Sequence, residues 1–260
     1  MTTALPDPAP PRTLRRVSTV LALLALGQLI LALAILLLAA PAAAALSAVA
    51  LVSSLTPALV AAATLRPRAP GEVTTADLLT LLRHLAAGAL AAAAVLVLGG
   101  ALTAQSWPLA ALIAAALLSD ALDGPVARRT GTAGPVGARL DMEADACLAL
   151  VLSVLAATVV GPWALAIGLM RYAYVAASFI RPSLRRPLDF SQLRRVIGGF
   201  QGVALLTAMV PVLPTQASTA IIAVALGLLL VSFGRDVIAL EHAQRRAQRM
   251  PSRDHLRRRR

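Results

Sequence analysis

Long apolar runs, separated by short polar breaks, follow one another along most of this 260-residue chain. A helix needs about 20 predominantly apolar residues to cross the hydrocarbon core of a bilayer. By this measure the pattern predicts eight membrane spans, near residues 17–40, 42–65, 85–103, 107–122, 138–160, 163–180, 196–213 and 217–238. The sequence therefore predicts an all-α fold, a polytopic transmembrane helical bundle.

The polar breaks divide the chain into three parts. Two prolines and a glycine within Arg-Pro-Arg-Ala-Pro-Gly at 66–71 interrupt any continuous helix, and we place a module boundary there. The parts are an N-terminal tail with a transmembrane hairpin (1–70), a membrane domain with the other six spans (71–240) and a basic tail (241–260). Because all six of those spans follow the boundary, we expect the membrane domain to insert and act without the hairpin.

An amphipathic segment opens the membrane domain. Residues 75–85 place leucines around Asp77, Thr80 and Arg83, a pattern typical of a helix that lies at the membrane interface. Asp77 also suits the first turn of a helix, where the helix dipole favours a negative side chain. We therefore predict an interfacial amphipathic helix ahead of the first span of the domain.

Composition supports the same fold class. The chain is 58% hydrophobic with a mean hydropathy of +0.79, more apolar than soluble domains, which are about half apolar. Aromatic residues make up only 3% of the chain, whereas membrane β-barrels carry girdles of aromatic side chains. A helical membrane protein is therefore favoured over both a soluble domain and a barrel.

The arginines indicate an orientation. Alternate connections, near residues 41, 99–108, 161–163 and 211–218, contain no arginine. By the positive-inside rule, both termini and the arginine-containing connections face the cytoplasm, which we take to be the inner side of the cell (plasma) membrane. The basic run from Arg245 to Arg260 is expected to be disordered and to be drawn to anionic membrane lipids; we expect no binding of nucleic acid.

Acidic residues concentrate at one arginine-containing connection. Five of the twelve in the chain lie between Asp120 and Asp145. On helices, Asp120 and Asp123 share one face, and Asp141 and Asp145 share another, so two helix ends would direct four carboxylates to one point. Oxygen ligands of this kind favour Mg²⁺ or Mn²⁺ over Zn²⁺. The fifth acid, Glu143, is one step off this face, and we interpret it as a solvated or pairing residue.

Small and basic residues accompany the acids. Gly124, Ala127 and Gly137 leave room for a ligand to approach the backbone, and Arg128 carries a planar fork of donors suited to phosphate. Carboxylates, small residues and an arginine together indicate a site for a divalent metal and a phosphate group.

The complete pattern is Asp120-x2-Asp123-Gly124-x2-Ala127-Arg128-x8-Gly137-x3-Asp141-x3-Asp145. It resembles the signature of the CDP-alcohol phosphatidyltransferase family at all eight defining positions. The resemblance implies an integral membrane enzyme of phospholipid synthesis. Such an enzyme moves a substituted phosphate from a CDP-alcohol, such as CDP-diacylglycerol, to an alcohol acceptor and releases CMP. It also implies a homodimer and a six-span core, so that the first two spans here are extra.

The same resemblance implies roles for the motif residues. Asp120, Asp123 and Asp141 would hold Mg²⁺ or Mn²⁺, as two ions, against the pyrophosphate. Asp145 would complete the metal site and accept the proton of the attacking hydroxyl. The nucleotide-binding surface would contain the small residues and the arginine of the motif, Gly124, Ala127, Arg128 and Gly137.

Three further arginines are candidates for binding a phosphate on the acceptor. Arg171 lies inside an apolar span, where an arginine is costly unless it faces a polar cavity or a partner. Arg194 and Arg195 begin the next span, a position that anchoring by the positive-inside rule explains equally well. If these residues bind substrate, the acceptor is anionic, such as inositol phosphate or glycerol phosphate.

A membrane transporter of cations or protons is the alternative function. Paired acids inside a helical bundle can relay protons or bind ions. A transporter has no need of Arg128 beside the acids, so the transferase interpretation accounts for more of the motif.

Overall fold

The computed structural model describes residues 15–68, 71–130, 134–181 and 192–249. Nine α-helices make up most of this part of the chain. They are α1 (Val17–Leu38), α2 (Ala44–Ser54), α3 (Thr56–Leu65), α4 (Thr75–Leu98), α5 (Trp107–Thr130), α6 (Pro135–Val160), α7 (Leu165–Ile180), α8 (Gln192–Thr207) and α9 (Thr215–Arg249). Single 3₁₀ turns, Arg66–Arg68 and Pro162–Ala164, follow α3 and precede α7. The predicted all-α membrane bundle is confirmed.

Among the described residues, six segments are long and apolar enough to cross a membrane. They are Val17–Leu38, Ala44–Arg68, Thr75–Leu98, Pro135–Val160, Pro162–Ile180 and Thr215–Glu241. Two shorter apolar stretches, Trp107–Asp120 and Val196–Thr207, occupy the places of the other two predicted spans. The second segment is divided into α2 and α3 at Leu55, because Pro57 in the first turn of α3 cannot donate the backbone hydrogen bond of a continuous helix.

Helix α4 lies at the centre of the bundle and packs against α1, α2, α3, α5 and α6. Its Gly88 permits a close approach of α1 and α2. A Cβ there would lie 2.5 Å from the carbonyl oxygen of Ser54 and 2.7 Å from Cδ of Gln28. Gln28 is fully buried and donates from Nε2 to the carbonyl oxygen of His84 at 2.9 Å. The extra hairpin is therefore packed tightly against the membrane domain.

The main hydrophobic core contains residues of every helix from α4 through α9. Its small and branched side chains include Leu90, Ile113, Leu155, Ala204 and Ile222. A second cluster joins the hairpin to the membrane domain and contains Val17, Leu65, Val73, Leu81 and Leu140. A short antiparallel ladder, β1 (Arg15–Arg16) with β2 (Glu72–Val73), closes the hairpin at this end.

The start of α4 differs in detail from the predicted interfacial helix. The helix runs without a break from Thr75 to Leu98, so residues 75–85 are its first three turns and not a separate element. Asp77, Thr80 and Arg83 are buried, while Leu82 is exposed. The polar face of this segment points into the bundle because Arg83 meets carboxylates and Asp77 meets Arg68 there, as described below.

The C-terminal helix is longer than the predicted span. Helix α9 continues to Arg249, so residues 241–249 are helical, and the expectation of a disordered tail beginning at Arg245 is corrected for Arg245–Arg249. At about 1.5 Å per residue its 35 residues span about 52 Å, which exceeds the hydrocarbon thickness of about 30 Å. Glu241 pairs with Arg181 at the end of α7, which ties the extension to the bundle.

Candidate active site

Two helices bring the motif aspartates together. Asp120 lies in the second half of α5, and Asp141 and Asp145 lie one turn apart near the start of α6. One carboxylate oxygen from each of the three residues lies within 4.8 Å of the others. Their side chains are about half exposed, with 48%, 45% and 53% of the surface accessible. The predicted convergence of two helix ends is thus present for these three aspartates.

Arg83 of α4 lies among the three carboxylates and is fully buried. Its Nη2 is 2.7 Å from Oδ1 of Asp120, and its Nη1 is 2.8 Å from Oδ1 of Asp141 and 2.7 Å from Oδ1 of Asp145. Charge-assisted hydrogen bonds of this length are among the stronger ones in proteins. Arg83 is a site residue that the sequence pattern did not predict. An arginine on the polar face of an otherwise apolar helix was the available signal, because such a charge needs carboxylate partners.

The cluster carries excess negative charge. Three carboxylates and one guanidinium give a formal charge of minus two among these four described side chains. Carboxylates this close repel one another unless cations neutralise them. All three donate oxygen ligands, which hard cations such as Mg²⁺ and Mn²⁺ prefer, and Arg83 engages one oxygen of each carboxylate. These residues therefore fit a divalent cation.

An ion pair with a buried carboxylate lies at the start of α4. Asp77 accepts hydrogen bonds at Oδ2 from the backbone N–H of Thr74 at 2.8 Å and from its hydroxyl at 2.7 Å. The backbone N–H of Asp77 donates in turn to Oγ1 of Thr74 at 3.2 Å, which completes a capping box. Arg68, in the 3₁₀ turn after α3, forms an ion pair with the same oxygen. The interpretation of Asp77 as an acid of the first helical turn is confirmed.

Gly137 packs against this pair. A Cβ on Gly137 would lie 3.2 Å from Oδ1 of Asp77 and 3.7 Å from Nη2 of Arg68. The absence of a side chain therefore lets the start of α6 approach the start of α4. Close packing therefore explains why a glycine occupies this motif position. The place of Gly137 on the nucleotide-binding surface stays a prediction.

Arg171 has a protein partner. Its Nη2 lies 2.5 Å from Oε1 of Glu143, and the two side chains are 29% and 24% exposed. The interpretation of Glu143 as a pairing residue is confirmed. The predicted contact of Arg171 with an acceptor phosphate is not tested by this arrangement, although a phosphate would have to share the guanidinium with Glu143.

Six predicted site residues have side chains outside the described part of the structure. Helix α5 continues through Thr130, so its backbone carries Asp123, Gly124, Ala127 and Arg128, and α8 begins at Gln192, just before Arg194 and Arg195. Their helical placement agrees with the sequence analysis. Their roles stay predictions.

A cavity of about 510 Å³ lies between α3 and the start of α6. Its lining includes Arg139 and Glu143, which are each two residues from Asp141 and so lie on the opposite face of α6 from the aspartates. The hairpin supplies the other wall, with Val60, Ala63, Thr64 and Pro67. Helix α6 is thus bordered by the hairpin on the side away from Arg83.

A protein-family model matches most of the chain. Residues 73–238 match the family model described as CDP-alcohol phosphatidyltransferase. The match covers more than half of the chain and contains the whole motif, whereas α1, α2 and α3 precede it. No curated protein and no solved structure matches the chain significantly.

Proposed function

The chain belongs to the CDP-alcohol phosphatidyltransferase family, and from this premise we propose that it transfers a phosphatidyl group from CDP-diacylglycerol to an alcohol and releases CMP. The observation that carries the proposal is the cluster of Asp120, Asp141 and Asp145 around Arg83 within the matched region. The transporter alternative gains no support from the family match.

The metal ligands follow from the donor set. Asp120, Asp141 and Asp145, with Asp123 as the proposed fourth ligand, would hold Mg²⁺ or Mn²⁺, as two ions. When bound, such ions neutralise pyrophosphate charge and stabilise the attacking and leaving oxygens of an in-line displacement. The excess negative charge of the described cluster supports this assignment, because Arg83 alone cannot balance three carboxylates.

Asp145 is the proposed general base. In the reaction, the acceptor oxygen forms a bond to the phosphorus next to the diacylglycerol, the bond from that phosphorus to the CMP oxygen breaks, and the hydroxyl proton passes to the carboxylate. Arg83 engages Oδ1 of Asp145, which leaves Oδ2 as the oxygen to receive the proton. The carboxylate is about half exposed, so an alcohol can reach it.

We assign the donor and acceptor subsites to two further groups of residues. Arg128, with Gly124, Ala127 and Gly137, would bind the nucleotide end of the donor. Arg171, Arg194 and Arg195 would bind the phosphate of an anionic acceptor, such as inositol phosphate or glycerol phosphate. Both substrates would reach the site from the cytoplasmic face of the plasma membrane, and we propose a homodimer on the basis of the family alone.

The test is a transfer assay with purified protein in lipid nanodiscs. The protein is incubated with CDP-diacylglycerol, Mg²⁺ and a panel of phosphorylated and uncharged alcohols, while CMP and the lipid product are measured. Asp120→Asn should remove activity, whereas Asp236→Asn, a matched change on α9 outside the cluster, should not. Absence of CMP release with every acceptor, or equal activity of the two variants, would contradict the proposal.

A further inference from the structure

Arg68 joins the N-terminal hairpin to the membrane domain through a buried carboxylate. It follows α3 and lies outside residues 73–238, whereas its partner Asp77 lies within the matched region in the first turn of α4. Only 2% of the surface of Asp77 is exposed. The two hydrogen bonds from Thr74 satisfy its oxygen but supply no positive charge. Arg68 is therefore the described cation that balances this buried charge.

Helices α4 and α6 touch at two levels near the motif. At the first level Asp77 lies against Gly137, and at the second Arg83 binds Asp141 and Asp145. Residue numbers rise together at the two levels, so the helices run in the same direction here. Gly137, Asp141 and Asp145 share one face of α6, each one turn from the next. Two contacts on one face fix both the axial position and the rotation of α6 relative to α4.

We propose that Arg68 is a positioning residue for the active site and that the hairpin is needed to hold it. By neutralising Asp77, Arg68 keeps the start of α4 against Gly137 and so keeps Arg83 in register with Asp141 and Asp145. Removing one partner of a buried ion pair leaves an uncompensated charge, which is strongly unfavourable. Asp77 would then move toward water and separate the two helices at the first level.

Several contacts of the hairpin hold Arg68 in place. The ladder between β1 and β2 and a hydrogen bond from the backbone N–H of Val17 to the carbonyl oxygen of Gly71, at 3.1 Å, fix the chain that follows the 3₁₀ turn. Leu65, three residues before Arg68, is fully buried in the cluster that also contains Leu81 and Leu140. This packing favours dependence of the membrane domain on the hairpin over the separability expected from the sequence.

The test is a double-mutant cycle in the full-length protein, made of Arg68→Gln, Asp77→Asn and the double variant. Asparagine removes the charge of Asp77 but can still accept hydrogen bonds from Thr74. Arg68→Lys preserves the charge, and Arg66→Gln, an exposed arginine in the same turn, is the matched control. Cys147 is the sole cysteine and is buried, so its labelling by a thiol dye on heating reports unfolding.

Two measurements below the unfolding midpoints of all variants separate positioning from stability. The first is Mn²⁺ affinity by electron paramagnetic resonance without substrate, and the second is CMP release. Arg68→Gln should weaken both by tenfold or more. In both measurements the double variant should lie within about threefold of Asp77→Asn, because without the carboxylate no charge remains for Arg68 to balance. Arg68→Lys should retain most of the Mn²⁺ affinity and most of the CMP release. Arg66→Gln should match the wild type in both measurements.

Three results would overturn the inference. They are equal behaviour of Arg68→Gln and Arg66→Gln, failure of Asp77→Asn to rescue Arg68→Gln, and a lower unfolding midpoint with unchanged Mn²⁺ affinity and turnover. The turnover measurement rests on the proposed function, whereas the Mn²⁺ cycle does not. The protein could release no CMP from any donor and still lose Mn²⁺ affinity in Arg68→Gln and regain it with Asp77→Asn. That result would uphold the inference and refute the transferase proposal.

Discussion

Arg83 and Arg171 both bind carboxylates on α6, but they differ in the number of carboxylates that each contacts. Arg83 is fully buried and contacts three carboxylates, two of them on α6, whereas Arg171 is 29% exposed and pairs with Glu143. One charge balances one in the Arg171 pair, as in many structural ion pairs. The Arg83 cluster keeps an excess of negative charge, which makes it a place for cations. The ratio of acids to arginine, more than the presence of either, distinguishes the candidate active site.

The largest expected effect is that of Asp145→Asn. The amide keeps the shape of the side chain but cannot accept the hydroxyl proton, and loss of a general base lowers turnover by about 10²–10⁴-fold. Folding and donor binding should be largely retained. CMP release and binding of CDP-diacylglycerol are measured in parallel. Turnover near the wild-type rate would remove Asp145 from the role of base.

A somewhat smaller effect is expected for Arg83→Gln. The change removes charge-assisted hydrogen bonds to three carboxylates, each contributing about 1.5–3 kcal/mol at most, less here because the acids are half exposed. We expect turnover to fall by about 10²-fold and Arg83→Lys to restore part of it. Arg181→Gln serves as the control, since Arg181 pairs with Glu241 and belongs to no proposed substrate site. Turnover of Arg83→Gln within threefold of wild type would contradict a role for Arg83.

The smallest effects are expected at the acceptor arginines. If Arg171, Arg194 or Arg195 binds the acceptor phosphate, its change to Gln should raise the acceptor KM by about tenfold, which corresponds to 1.4 kcal/mol. The KM for CDP-diacylglycerol should change much less. Initial rates at varied acceptor concentration measure this. An equal rise for donor and acceptor would assign the residue to the donor pyrophosphate or to folding, and no change would favour an uncharged acceptor.

Sequence patterns predicted the parts of this molecule that depend on local chain properties. Apolar run length placed a helix at each of the eight predicted spans, and motif spacing predicted the convergence of Asp120, Asp141 and Asp145. Arg83 was missed because its partners lie 58 and 62 residues away on α6, and no local pattern shows which helix faces which. Only packing places a polar face against acids and not against water.

Other differences have the same origin. The ion pair of Arg68 with Asp77 crosses the break at 66–71, where the module boundary stays a prediction. Prolines and glycine do end α3 there, as predicted. They do not reveal that the following chain folds back so that β1 and β2 pair and the hairpin supports α4. A break in secondary structure is a local property, whereas the independence of two modules depends on the contacts between them.

Direct comparison of Asp141→Asn with Glu143→Gln tests the central claim, that the aspartates around Arg83 form the metal site of a phosphotransferase. The two residues lie two positions apart on α6, so both variants lose one negative charge from the same turn of the same helix. Mn²⁺ titration by electron paramagnetic resonance and CMP release are measured on each. We predict that Asp141→Asn loses Mn²⁺ binding and turnover, while Glu143→Gln keeps both within about threefold, since its charge is balanced by Arg171. Equal losses in the two variants, or Mn²⁺ binding and turnover unaffected by Asp141→Asn, would contradict the account.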